Sequence, residues 1–168
     1  MPLVLTGAGA ITGLTSVPSS GLQLADANMP AGAVLQVVNA TTIAAISTSS
    51  TSFVTTGFSV SITPSSATSK VFVVVNGGGG YNGDIGRSMW STIYRGATNL
   101  GDATYGFTRH YAGSSAVISP HCMSVLDSPA TTSSTTYTCY FKSSAAANVD
   151  FSASDRGIIS FTAMEIAA

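Results

Sequence analysis

The sequence predicts an all-β protein: a jelly-roll-like antiparallel β-sandwich over residues 33–168, preceded by an extended N-terminal arm over residues 1–32. Three observations carry that expectation. Short segments alternate apolar and polar side chains with a period of two, the spacing that buries one face of a strand and wets the other. Clusters of Gly, Pro, Ser, Thr, Asn and Asp punctuate these segments at the short intervals typical of two-layer β folds. No segment sustains a helical period, and "SSAAANV" is the single stretch where a short helix fits.

Taken in order, residues 1–32 hold no period long enough for a full element, and Pro2, Pro18 and Pro30 interrupt them. The arm nevertheless contains Leu3, Val4, Leu5, Ile11, Leu14, Val17, Leu22 and Leu24, too many apolar side chains for a purely solvated tail. Such a segment is expected to order against a partner and bury them there. Strands follow at "AVLQVVNATTI" and "SFVTTGFSVSITP", where Phe58, Val60 and Ile62 alternate with Ser59, Ser61 and Thr63. After the turn "PSSATS", the unbroken run of "KVFVVVN" suits a strand covered on both faces. "SMWSTIYRG" and "TYGFTRHY" flank the turn "GATNLGD". "AVISPHCMSVLDSP" and "TTYTCYFKSS" lie on either side of a Ser/Thr loop, and "VDFSAS" and "IISFTAMEI" close the chain around "SDRG". The total is eight or nine strands.

Composition narrows the function classes. Charged residues are 8% of the 168, six basic against seven acidic, well below the roughly 25% of ordinary domains. Six scattered cations make no basic face for nucleic acid. Polarity comes instead from 26 serines and 21 threonines. The longest apolar run is five residues, so no membrane insertion is expected, and the N-terminus lacks the basic region of a secretory signal. Cys122 and Cys139 are too few for a disulfide framework. Two half-buried thiols are the plainer expectation, although neighbouring antiparallel strands could bring them into a bridge.

The run "NGGGGYNGDIG" raises the question of a phosphate loop. A Walker loop needs a Lys and a hydroxyl after its last glycine; here Asp84 follows. A dinucleotide site needs a helix after the glycines, and "RSMWSTIYRG" reads as a strand. The glycines therefore serve shape, as a tight irregular loop or a place where three copies crowd an axis. Tyr81, Asn82 and Trp90 beside it could form a sugar-binding lip, with aromatic faces stacking and an amide bonding hydroxyls. No metal site is expected: His121 and Cys122 are adjacent on a strand and point to opposite faces. The histidines are His110 and His121, and the plainer expectation is one imidazole at a strand end and one thiol in the core. No G-x-S-x-G occurs, and the carboxylates sit mostly in turns, so no catalytic set and no cofactor is expected. Glu165, the one acid placed in a strand, could pair with an Arg to fix register.

The blocks "AVLQVVNATT", "TSFVTTGFSVSITPSSATSKVFVVVN", "STIYRG", "LDSPATTSSTTYTCYFKSS" and "FTAMEI", between Ala33 and Ile166, resemble a group of bacteriophage virion proteins, especially those of tailed phages of cyanobacteria and other aquatic bacteria. There the pattern forms the distal domain of tail or head fibres and related appendages. The resemblance implies a non-catalytic homotrimer on the virion surface, assembled in the host cytoplasm. It implies contacts with other virion proteins, of capsid or of tail and baseplate. Leu3, Val4, Leu5, Ile11, Leu14, Leu22 and Leu24 would then be the docking side chains of the arm; the resemblance carries over no receptor motif, and Tyr81, Asn82 and Trp90 are candidates for a host surface glycan by residue type alone. Long fibres place this domain behind a shaft. Only 32 residues precede it here, which fits a short tail or head fibre, or a capsid-decorating cement protein. A carbohydrate-binding module is the reading outside the virion.

Overall fold

The computed structural model describes residues 29–168; the arm candidates from Leu3 to Leu24 lie outside the described residues. Among the described residues all regular structure is strand. In order these are β1 (Val34–Thr42), β2 (Ile46–Thr48), β3 (Val54–Ile62), β4 (Lys70–Asn82), β5 (Arg87–Arg95), β6 (Thr98–Asn99), β7 (Thr108–Ala112), β8 (Val117–Asp127), β9 (Thr135–Ser143), β10 (Val149–Ser152) and β11 (Ile159–Ile166). "SSAAANV" forms the connection into β10, not a helix.

Every pairing is antiparallel. In the first sheet β4 lies between β8 on one edge and β11 on the other; β10 shares the β11 edge, and β1 and β2 flank β11 and β10. In the second sheet β9 lies between β3 and β5, while β6 and β7 share the far edge of β5. The long strands thus read β1–β11–β4–β8 against β3–β9–β5–β7. Apart from β5 and β7, successive long strands alternate between the sheets, and the first pairs with the last, which is the eight-stranded jelly-roll order expected from the sequence. Backbone bonds between Gly32 and Ala167 and between Ala167 and Ala33, both 2.8 Å, clamp the entry of the described chain against its C-terminal end.

The alternating residues supply the core. Val71, Val73 and Val75 of β4 face Phe58, Val60 and Ile62 of β3, Tyr137, Cys139 and Phe141 of β9, and Met89 and Ile93 of β5 across the sandwich. Each fully buried Val or Phe contributes about 1.5–3 kcal/mol relative to exposure. The continuous run of β4 suggested cover on both faces; the described residues cover only one. Phe72 and Val74 are half-buried on the outer face. There Phe72 is in register with Met164 of β11 and Leu126 of β8, and Met164 with Val37 of β1. An apolar row, Val37–Met164–Phe72–Leu126, therefore crosses the whole first sheet, its two ends 56% and 53% exposed.

The glycine run is not a loop. β4 continues through it to Asn82, paired with β8. Gly77 and Gly80 partner His121 and Ser119, so three steps along β4 match two along β8, a bulge. Gly77 and Gly78 take φ of +93° and +59°, where a Cβ is disfavoured, and a Cβ on Gly77 would lie 2.5 Å from the Ile158 carbonyl oxygen. The bulge shifts the inward parity by one residue. Before it Val71, Val73 and Val75 point inward; after it Gly80 and Asn82 do, and Tyr81 points out.

Candidate functional site

The second sheet presents the most chemically equipped surface. Met89 and Ser91 of β5 are buried in the sandwich, so Trp90 between them projects outward and is half-buried. Its register partners are Lys142 on β9 and Arg109 on β7, giving a cation–indole–cation row across three strands. The Lys142 ammonium lies 5.2 Å from the Trp90 ring centre and 4.6 Å from that of Phe53. Arg109 donates from Nε to Ser88 Oγ at 2.7 Å, with its guanidinium 4.6 Å over Tyr111. These are cation–π distances.

Tyr105 closes one side. Its ring centre is 5.7 Å from that of Trp90, the planes inclined by 60°. The connection between β6 and β7 holds it there: Asp102 Oδ1 accepts from the Thr104 and Tyr105 amides at 2.8 and 2.6 Å, and Asp102 bridges Gly106. Tyr105 is thus anchored at its backbone while its side chain is 59% exposed. Trp90, Tyr105 and Arg109 line a recess of about 380 Å³. The aromatic surface continues through Tyr94 and Tyr140, stacked at 4.0 Å, with Phe53 6.5 Å from Tyr94. Burial and the neighbouring Tyr140 phenol raise the Tyr94 pKa. Such a face can stack a flat or ring-shaped ligand and neutralise an anion on it; no group among the described residues accepts the buried Trp90 Nε1–H.

Of the expected sugar lip, the structure keeps only Trp90 here. Asn82 is fully buried and donates from Nδ2 to the Arg87 and His110 carbonyls at 2.7 and 3.1 Å, tying β4 to the second sheet. Tyr81 lies on the outer face of the first sheet under the Arg156 guanidinium, 4.6 Å away. The bulge is the physical reason, because it turns Asn82 in and Tyr81 out. Tyr105, Arg109 and Lys142 were not singled out from sequence, although outward alternation in "MWSTIY" and "TCYFK" marks Trp90, Tyr94, Tyr140 and Lys142 as candidates for one surface.

The remaining polar centres are structural. Both imidazoles are interior, contrary to the strand-end expectation: His110 and His121 meet edge to face at 5.0 Å, and His121 stacks on Phe151 at 4.1 Å. His121 Nε2 donates to the Phe151 carbonyl at 2.8 Å, and His110 Nδ1 bonds Ser119 Oγ. Burial lowers both pKa values, that of His121 to about 4. Cys122 is exposed on the first sheet and Cys139 buried in the second, and both are free. Burial pushes the Cys139 thiol well above its ordinary pKa. Within the chain Glu165 pairs with no Arg among the described residues. It accepts from Gln36 Nε2 at 2.6 Å and from the Ser65 amide and hydroxyl, both at 2.7 Å. Burial acts to raise its pKa, but these bonds and one from Ser69 outweigh it and hold the carboxyl below its ordinary range. Register is fixed instead by Asp127, which ends β8, takes Arg95 Nη1 at 2.7 and 2.8 Å, and accepts from the Tyr137 hydroxyl at 2.7 Å. No group of three or more potential metal ligands occurs among the described residues.

No family model and no curated protein matches the sequence. Among solved structures the chain is similar to the VP2 subviral particle of infectious bursal disease virus, at 15% identity and a TM-score of 0.43, over 79% of this chain and 32% of that one. It is also similar to structures of the Gx and Gt strains of that virus. The Gx structure aligns at 12% identity and a TM-score of 0.38 over 79% of this chain and 37% of that one. The Gt structure aligns at 13% and 0.38 over 94% and 43%. The chain thus spans less than half of each protein, and at these scores the likeness decides nothing about function.

Proposed function

We propose that the chain is a non-catalytic structural component of a tailed-phage virion: a homotrimeric short fibre, of tail or head, docked through its N-terminal segment and presenting the sandwich to the host surface. The observation that supports self-association is the apolar row Val37–Met164–Phe72–Leu126, while the number three rests on the resemblance to trimeric phage fibre domains. Closed symmetric oligomers bury matching patches, and a row crossing four strands gives each copy the same patch. The continuous apolar run of β4 is the sequence counterpart, since a strand of that kind is normally covered on both sides. The described chain enters at Gly32, which is bonded to Ala167 beside β1 and β11 of the first sheet, the sheet opposite the Trp90 surface.

Sedimentation equilibrium of the full chain is expected to give three times 16.9 kDa, and Phe72→Lys with Leu126→Lys a monomer that retains its β spectrum. A wild-type monomer at micromolar concentration overturns the trimer. Deleting residues 1–28 is expected to leave the trimer intact and exclude it from the particle. Normal incorporation of the truncated chain overturns the anchor. The aromatic and cationic row around Trp90 favours a fibre over a cement protein. Hundreds of copies on the head, counted in purified particles, would favour the cement.

A further inference from the structure

We infer that the recess between Trp90 and Tyr105, flanked by Arg109 and Lys142, is a binding site for an acidic saccharide, one carrying uronate carboxylates or sulfates. This rests on the host-surface reading above and specifies its ligand. Two features must be satisfied at once. The walls are aromatic faces inclined at 60°, suited to the C–H face of a sugar ring, and the recess of about 380 Å³ is within the range of small-ligand sites. The row also carries positive charge that no acid among the described residues pairs with.

Arg95 and Arg156 are salt-bridged to Asp127 and Asp150. Arg109 and Lys142 make no salt bridge among the described residues and rest on Tyr111, Phe53 and Trp90. On the Tyr105 side, Asp102 accepts from its own loop amides. In a chain with only six basic residues, two unpaired cations on either side of the only tryptophan select an anion. A charge-assisted bond to that anion is stronger than a neutral one. A bare anion would leave the aromatic walls unused, and a neutral sugar the cations. Single-stranded nucleic acid would also stack and pair, but it needs a basic groove following its backbone, and this face has two cations in one row.

The single tryptophan gives a direct readout, because all indole fluorescence comes from the site. The full-length chain is titrated with pentagalacturonate, a chondroitin sulfate hexasaccharide, neutral cellopentaose and a dT pentanucleotide. The expected result is a saturable change with at least one acidic saccharide. That binding weakens about tenfold in Lys142→Gln, which removes only the charge, and likewise in Tyr105→Ala, whose side chain is mostly exposed. Cellopentaose is expected to be insensitive to Lys142→Gln. Equal binding of cellopentaose, tighter binding of the oligonucleotide, or no saturable response to either acidic probe at millimolar concentration overturns the assignment. The fibre reading is tested separately by adsorption of particles carrying Tyr105→Ala. Normal adsorption beside intact wild-type binding of the acidic probe would sink host attachment through this face and leave the ligand class standing.

Discussion

Acidification should unlock this sandwich in a defined pH window, through His121. Its imidazole is fully buried, stacked on Phe151, bonded through Nε2 to the Phe151 carbonyl and set edge-on to His110. Burial is the main reason its pKa falls from 6.5 to about 4, with the His110 ring acting in the same direction. The unfolded chain therefore binds a proton below pH 6.5 that the folded chain refuses until about pH 4. The contribution of neutral His121 is fully present above pH 6.5 and is lost progressively as pH falls to about 4. At about 1.4 kcal/mol per pH unit, the lost stability is about 3 kcal/mol, a large part of a typical domain's margin. His110, lowered by the same burial, adds to the loss. Urea unfolding at fixed protein concentration, at intervals from pH 7 to pH 4, measures it. His121→Phe keeps the stacking but strands the Phe151 carbonyl, which costs about 1–3 kcal/mol at every pH. Its stability is expected to be flatter than wild type between pH 6.5 and 4. If the two proteins lose stability in parallel across that window, His121 is not a buried neutral group and the reasoning fails.

The other expectations use the same measurements. In Gly80→Ala the new methyl would lie 2.5 Å from Met89 Cε and 3.1 and 3.2 Å from the His121 and His110 rings. A loss of about 1–3 kcal/mol in thermal or urea unfolding is expected, and an unchanged protein would show that the interior has room there. Glu165→Gln gives up a carboxylate held by Gln36, Ser65 and Ser69. It should cost about 1–3 kcal/mol at pH 7. Because the folded pKa is depressed, the cost should shrink as pH falls below 4.5 through that value, a window lower than that of His121. Cys139 should resist maleimide until denaturant is added; labelling of native protein at that site would contradict its burial.

The strands were legible because their side chains alternate. β3 writes its burial directly as Phe58–Ser59–Val60–Ser61–Ile62, and β11 does so from Ile159 to Ala163, after which Glu165 is buried between the outward Met164 and Ile166. β4 was legible to Val75 and then lost, because glycines have no side chains to show a period. Pairing with β8, not propensity, carries the strand on to Asn82. β2 and β6 are too short, at three and two residues, to leave a periodic trace. The site was half-legible for a related reason. Trp90 declares itself by residue type, but Arg109 and Lys142 reach it only through cross-strand register, which lies in hydrogen bonding between segments 19 and 52 residues away along the chain. The misplacement of Tyr81 and Asn82 has one cause: a bulge exchanges inside for outside, and nothing local in "GGGGYN" states how many residues it absorbs.

The bulge also decides how the two faces divide their work. Without it Asn82 would point outward, and β4 would lose its bonds to the Arg87 and His110 carbonyls at the start of β5 and in β7. Those strands carry Trp90 and Arg109, so the inward amide beneath them helps fix the cation–indole–cation row from behind. The same shift removes Tyr81 from the core and sets it on the first sheet, beside Ile118 in register on β8. Apolar contact surface thus accumulates on one outer face and aromatic-cationic surface on the other. The proposed assembly and ligand would need that separation, because an unpaired cation buried in a subunit interface would cost more than the contact returns. The four glycines are tied to both faces through backbone geometry, a role no phosphate would be needed to explain.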